Sequence, residues 1–137
     1  IETLDLKEGD FFREYLIETL KRQIETLAEV QNENGLWHTL LMDNSSYVET
    51  SATAGFAFGI LKAIRKRYID RKYEDTALKA VNAVINNINE DGEVQNVSFG
   101  TAMGNDLQFY KDIPITPMPY GQSLSVLCLV EYLNYFK

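Results

Sequence analysis

Two stretches of this chain, TSATAGFAFGILKAI (Thr50 to Ile64) and QSLSVLCLVEYLNYF (Gln122 to Phe136), are apolar almost all the way round at helical spacing. A helix with no polar face is stable in water only where other elements surround it. Two further segments can do the surrounding. Asp10 to Gln31 places Phe12, Leu16, Leu20, Ile24 and Leu27 on one face, with Arg13, Glu18, Lys21, Arg22 and Glu25 largely elsewhere. Arg71 to Ile88 repeats the design with Ala77, Val81, Val84, Ile85 and Ile88 inward. Both follow the period of a surface helix, and Asp10 and Asp70 stand where a carboxylate can accept from free first-turn amides. The order amphipathic, apolar, amphipathic, apolar predicts an all-α fold of alternating inner and outer helical hairpins. It fits a single domain over residues 1–137. Helical repeats of a few tens of residues belong to toroids and solenoids.

A second repeat marks the joints. Asn32-Glu-Asn-Gly35 and Asn89-Glu-Asp-Gly92 lie 57 residues apart, each after an amphipathic segment. Glycine accepts the left-handed backbone, so each is expected to cap the C-terminus of an outer helix. Leu36–Leu40 and Val94–Val97 are expected as short extended excursions before the next inner helix. At this period a closed ring of six hairpins needs about 340 residues. The 137 residues read as an open arc, completed by further chain or by a second copy. The chain begins at Ile1 without methionine and reads as a processed or cut product.

Composition excludes several classes. A hydrophobic share of 45% is enough for one compact core. A net charge of −7 argues against nucleic acid or an anionic membrane as the main partner. The longest uncharged apolar run, Thr50 to Leu61, is too short to cross a bilayer, and the expected compartment is the cytoplasm. Cys128 is the single cysteine and sits in an apolar run, as a small buried hydrophobe does. Lys62, Arg65, Lys66 and Arg67 close the second helix, where they complement its dipole and read as a solvated rim.

Chemistry is expected on the connections that enter the inner helices, Gly35 to Val48 and Gly92 to Tyr120. A long structureless connection in a compact domain is usually functional. Trp37, Tyr47, Phe99, Phe109, Tyr110 and Tyr120 are interleaved there with Asn, Ser, Thr and Gly. That mixture suits a sugar ring, whose C–H faces stack on aromatics and whose hydroxyls need small polar partners. The same aromatics equally serve to pin the loops to the core. His38, the only histidine, either meets an anion or sugar oxygen or is a hydrogen-bonded structural residue. Glu49 either contacts ligand or completes a Ser46-x-x-Glu49 capping box, the stronger reading. Ser51 and Thr53, one turn in, can face the pocket, and only His38 and Lys111 bring possible positive charge to these loops. Asp43, Asp106 and Asp112 have no visible partner, and GTAMGND lacks the basic residue of a phosphate loop. One histidine and one buried cysteine assemble no zinc site.

QNENGLWH (Gln31–His38), YVETSATA (Tyr47–Ala54), the INEDGEV turn, the GTAMGNDLQFYKD loop and PYGQ (Pro119–Gln122) together resemble the unsaturated rhamnogalacturonyl hydrolases. These form glycoside hydrolase family 105, related to the unsaturated glucuronyl hydrolases. The resemblance implies an (α/α)6 barrel that removes a Δ4,5-unsaturated uronic acid from rhamnogalacturonan oligosaccharides derived from pectin. It implies an aspartate that hydrates the vinyl-ether double bond, with no metal or cofactor. That aspartate and the family's Trp-Ala-Arg-Gly-Asn-Gly-Trp segment precede the matched region and are not found in this sequence. The chain therefore reads as the C-terminal third of the barrel, inactive alone, with no catalytic residue. The substrate-binding residues that carry over are Trp37, His38, Glu49, Ser51, Tyr120 and Gly121. The implied partners are an oligosaccharide and, through the exposed inner-helix edge, a second copy of the chain, with no nucleic acid or membrane. The rival reading is a non-catalytic helical-repeat or carbohydrate-binding module. Glu2, Asp5, Lys7 and Glu8 give it one polar end, whereas Tyr132, Leu133, Tyr135 and Phe136 leave the other uncapped.

Overall fold

A computed structural model describes all residues, 1–137. Helix α1 runs Phe11–Glu29, and the Asp10 carboxylate accepts from the amides of Phe12 and Arg13 at 2.8 and 3.1 Å, the expected cap. Its inward face is shifted from the expected one: Ile17, Ile24 and Leu27 are buried, while Phe12 is 48% exposed. A two-stranded antiparallel ribbon comes next, β1 (Trp37–His38) against β2 (Val48–Glu49). It realises the first extended excursion.

Helix α2, Thr50–Arg65, is the centre of the molecule. Nine of its residues are buried, among them Ala54, Ala57, Ile60 and Leu61, and it packs against both α3 and α5. The predicted third helix divides in two. Asp70 caps a single 3-10 turn, Arg71–Tyr73, through the Lys72 amide at 2.7 Å, and α3 begins only at Glu74 and ends at Asn86. Ala77, Ala80, Val81, Ala83 and Val84 face the core, whereas Ile85 points largely to solvent.

The long second connection contains a five-residue helix that the sequence did not announce, α4 (Leu107–Lys111). The final helix, α5, runs Pro119–Tyr135 and starts three residues earlier than expected. Proline is preorganised for the first helical position and its missing amide donor is not needed there. Gly55 of α2 lies against Leu124 of α5, and Arg65 reaches Glu131, so the two inner helices run the same way. Cys128 is fully buried between such apolar neighbours, and burial pushes its thiol up to about 11. Helix α5 forms the exposed inner-helix edge expected of an open arc. Val126, Leu127, Val130, Leu133 and Phe136 each expose between 47% and 62% of their surface.

The two Asn-Glu-x-Gly turns are one structure made twice, but they are not helix caps. Each glycine comes six residues past the end of its helix. The Gly35 amide donates to Asn32 O and the Asn32 amide to Leu36 O; Gly92 with Asn89, and Asn89 with Glu93, repeat the pattern. Asn32 Oδ1 accepts from Asn34 N as Asn89 Oδ1 accepts from Asp91 N. The glycines have φ of +88° and +79°, the left-handed region. Their surroundings differ. The first turn is pressed onto α3, where Gln31 Nε2 donates to Gly35 O and Thr76 O, both at 3.0 Å.

That difference makes a prediction. A Cβ on Gly35 would stand 2.5 Å from Lys79 O, whereas one on Gly92 meets nothing within 4 Å. Gly35→Ala should cost about 3 kcal/mol, backbone strain plus overpacking, and Gly92→Ala only about 1 kcal/mol. Urea unfolding of the two variants checks the order.

Candidate functional site

The N-termini of α2 and α5 lie at the same end of the molecule, and the two long connections meet there. Glu49 is the joint. It is 4% exposed and is itself the N-cap of α2, with its Oε2 accepting from Ala52 N at 2.6 Å. Its Oε1 accepts from Ser51 Oγ at 2.7 Å and from the amide of Ser98, on the other connection, at 3.1 Å. The expected capping box is absent, because β2 is extended and carries Ser46 away from the helix start. Ser46 Oγ instead accepts from Leu40 N and donates to Asp43 O within its own turn. Glutamate caps alone, and in doing so fastens one connection to the other.

Trp37 is 1% exposed, donates from Nε1 to Leu27 O at 2.9 Å, and meets Phe56 edge-on. Burying an indole of this size contributes about 3 kcal/mol or more in a core. Its amide donates to Thr53 Oγ1, which in turn donates to Glu49 O at 2.7 Å. Thr53 thus braces the ribbon against α2 from within. His38 is 8% exposed with both ring nitrogens engaged. Ser46 O can only accept, so Nδ1 carries the proton and Nε2 accepts from Asn32 Nδ2 at 2.9 Å. Of the two readings of this histidine, the structure supports the hydrogen-bonded structural one.

Tyr120 and Gly121 open α5. The Tyr120 hydroxyl donates to Ser98 O and accepts from Gly100 N at 2.9 Å, while the residue stays 36% exposed. A Cβ on Gly121 would lie 2.6 Å from Val97 Cγ2, so glycine is what lets α5 approach this segment. Trp37, His38, Glu49, Ser51 and Gly121 are therefore buried supports of one end, and Tyr120 presents a face to solvent there. Phe99 is exposed beside it, and Phe109 and Tyr110 meet edge-on in the same connection.

Sequence reasoning missed these pairings: Asn32 with His38, Thr53 with Trp37, and Ser98 with Glu49 on the other connection. It also left three acids unpaired. Asp43 forms an ion pair with Lys111 at 2.6 Å, Asp106 caps α4 through Phe109 N, and Asp112 accepts from Gln108 Nε2. The expected rim at the far end is exposed at Arg65, Lys66 and Arg67, and it is also engaged in ion pairs. Lys62 and Lys66 both pair with Glu2, and Arg65 makes a two-pronged pair with the buried Glu131 at 2.6 and 3.0 Å. The lysines hold Glu2 down to about 2, Lys66 foremost. No three His, Cys, Asp or Glu side chains converge as metal ligands would, and no helix is long and apolar enough to cross a membrane.

The fold is a set of helical hairpins with a polar, aromatic-bearing end, and the comparisons with known proteins give its family. The profile of Glycosyl Hydrolase Family 88 matches residues 1–136, and the chain belongs to that family. It is 34% identical over 117 residues to the unsaturated rhamnogalacturonyl hydrolase YesR of Bacillus subtilis, a match over 85% of this chain and 32% of that protein. A crystal structure described as a possible GH105 member from Salmonella enterica superposes with a TM-score of 0.97 at 54% identity. Another from Klebsiella pneumoniae gives 0.96 at 55%. Each covers 99% of this chain, which spans 36% of theirs. The chain thus has about a third of the length of these relatives.

The geometry predicts a large effect at the joint. Glu49→Gln keeps one acceptor oxygen and turns an amide NH2 toward donors, so it should destabilise the chain by about 2–3 kcal/mol. Ser51→Ala removes one donor and should cost about 1 kcal/mol. Thermal unfolding at matched pH measures both.

Proposed function

We propose that this chain is an arc of an (α/α)6 ring whose ribbon end takes a Δ4,5-unsaturated uronic acid at the terminus of a rhamnogalacturonan oligosaccharide. One observation carries the reading: the 34% identity to an unsaturated rhamnogalacturonyl hydrolase extends over 85% of the chain. The local chemistry is compatible. Tyr120 and Phe99 offer open aromatic faces suited to sugar C–H groups, and Trp37, His38, Glu49, Ser51 and Gly121 hold the wall behind them. Tyr47 Oη and Thr50 Oγ1, both within two residues of Glu49, are buried with no protein partner. Hydroxyls in that state are relieved by water or by a polar ligand.

In this reading the chain binds and does not turn over. Hydration of the vinyl ether needs a general acid placed on the double bond, and none of the six residues is a free carboxylic acid aimed at solvent. Titration calorimetry with an unsaturated rhamnogalacturonan disaccharide should give saturable binding, weakened about tenfold or more by Tyr120→Ala, with no release of product. Absence of binding would favour a protein scaffold, and product release would overturn the claim of inactivity.

The apolar stripe of α5 also needs an occupant, and we assign it to a second copy of the chain. The exposed positions of α5 carry no formal charge, since its one carboxylate, Glu131, is buried with Arg65. In a chain of net charge −7, this neutral face is where two copies repel least. A two-fold contact pairs it with itself. Sedimentation at micromolar concentration should show dimer, and Leu127→Glu with Val130→Glu should give monomer. A wild-type monomer would refute the pairing.

A further inference from the structure

Residues 101–113, which include α4, form a flap whose attachments are few. None of the thirteen is buried. Its neck is closed by backbone bonds just outside it: Phe99 N donates to Pro114 O and Thr116 N to Val97 O, each at 2.8 Å, and Ser98 bridges Ile115. Within the flap, Asp106 caps Phe109 N, Gln108 donates to Asp112, and Gly104 N donates to Tyr110 Oη. These bonds give it internal shape. Beyond the neck, its hydrogen bonds and ion pairs to the rest of the molecule all belong to Lys111. That ammonium lies 2.6 Å from Asp43 Oδ2 and donates to Ser45 Oγ at 2.7 Å.

The receiving turn is internally hydrogen-bonded and leads directly to the ribbon. Asp43 Oδ1 accepts from Ser45 N and Ser45 Oγ, so the carboxylate is fixed before Lys111 arrives. Lys111, ahead of Ser45, holds the Asp43 carboxyl below the usual range. Asp43 O accepts from Ser46 Oγ, and Ser46 O accepts from His38. A path of hydrogen bonds thus runs from the flap to the ribbon.

We propose that Lys111 is a positioning residue: it latches the 101–113 flap onto the Asp43–Ser45 turn and so sets the gap between the two connections at the ligand-facing end. The pair leaves 23% and 33% of its side chains open to water, so salt can reach it and the latch is weak enough to open. The latch rests on the flap's geometry alone; its effect on a sugar ligand rests on the function proposed above. The flap's exposed Met103 and Leu107 would then report its opening to a protease.

The test is limited proteolysis of the full chain with chymotrypsin, together with far-UV circular dichroism. Asp43→Asn should speed cleavage within 101–113 roughly two- to fivefold with an unchanged spectrum. Exchanging the charges, Asp43→Lys with Lys111→Asp, should restore the wild-type rate. Molar sodium chloride should accelerate wild type but not Asp43→Asn. Cleavage of Asp43→Asn at the wild-type rate would overturn the latch, as would acceleration spread over the whole chain. Disaccharide affinity separates the two proposals. A flap freed in Asp43→Asn, with no disaccharide bound by any form, keeps the latch and removes the sugar.

Discussion

A helix without a polar side must be enclosed, and α2 imposes that requirement on everything else. Its nine buried residues need α3 and α5 along their length, and the side chains of α1 close the remaining flank through Ile24 and Leu27. Enclosure leaves only the helix ends free. At one end, Arg65 and Glu131 tie α2 to α5. At the other, Glu49 uses one carboxylate to start the helix and to hold Ser98. The loop-bearing end is a consequence of this geometry: connections that cannot enter the core converge where the inner helices begin.

The echoed turns show how one local structure serves two surroundings. Both rest on an asparagine that accepts from the amide two residues on, with a glycine in the left-handed region. Only the first is wedged against α3, and only the first leads into a paired ribbon that buries Trp37. The second leads to Val94 and Val97, buried without a ribbon, and then to the flap. Packing, more than the turn itself, decides whether a ribbon or a flap forms after it.

Periodicity made the helices legible. Four apolar patterns located α1, α2, α3 and α5 to within a few residues, and Asp10 and Asp70 capped as carboxylates in those positions do. What local pattern cannot carry is pairing at a distance. Lys111 and Asp43, Arg65 and Glu131, and Glu49 and Ser98 are each separated by more than 45 residues, so single-residue reading left Asp43 a loop acid, Arg65 part of a wet rim and Glu49 a purely local cap. The six residues proposed to meet ligand stand at one end of the molecule. Only packing revealed that Trp37 and His38 are enclosed and Tyr120 is not.

The claim on which the functional account depends is that the ribbon end and the flap neck form one ligand-facing surface. An amide chemical-shift map of the isotopically labelled chain, titrated with an unsaturated rhamnogalacturonan disaccharide, tests it most directly. The account predicts perturbations gathered around Glu49, Ser98, Gly100 and Tyr120, with the Arg65–Arg71 end unmoved. Perturbations centred on that opposite end, or spread evenly over the outer faces of α1 and α3, would contradict it.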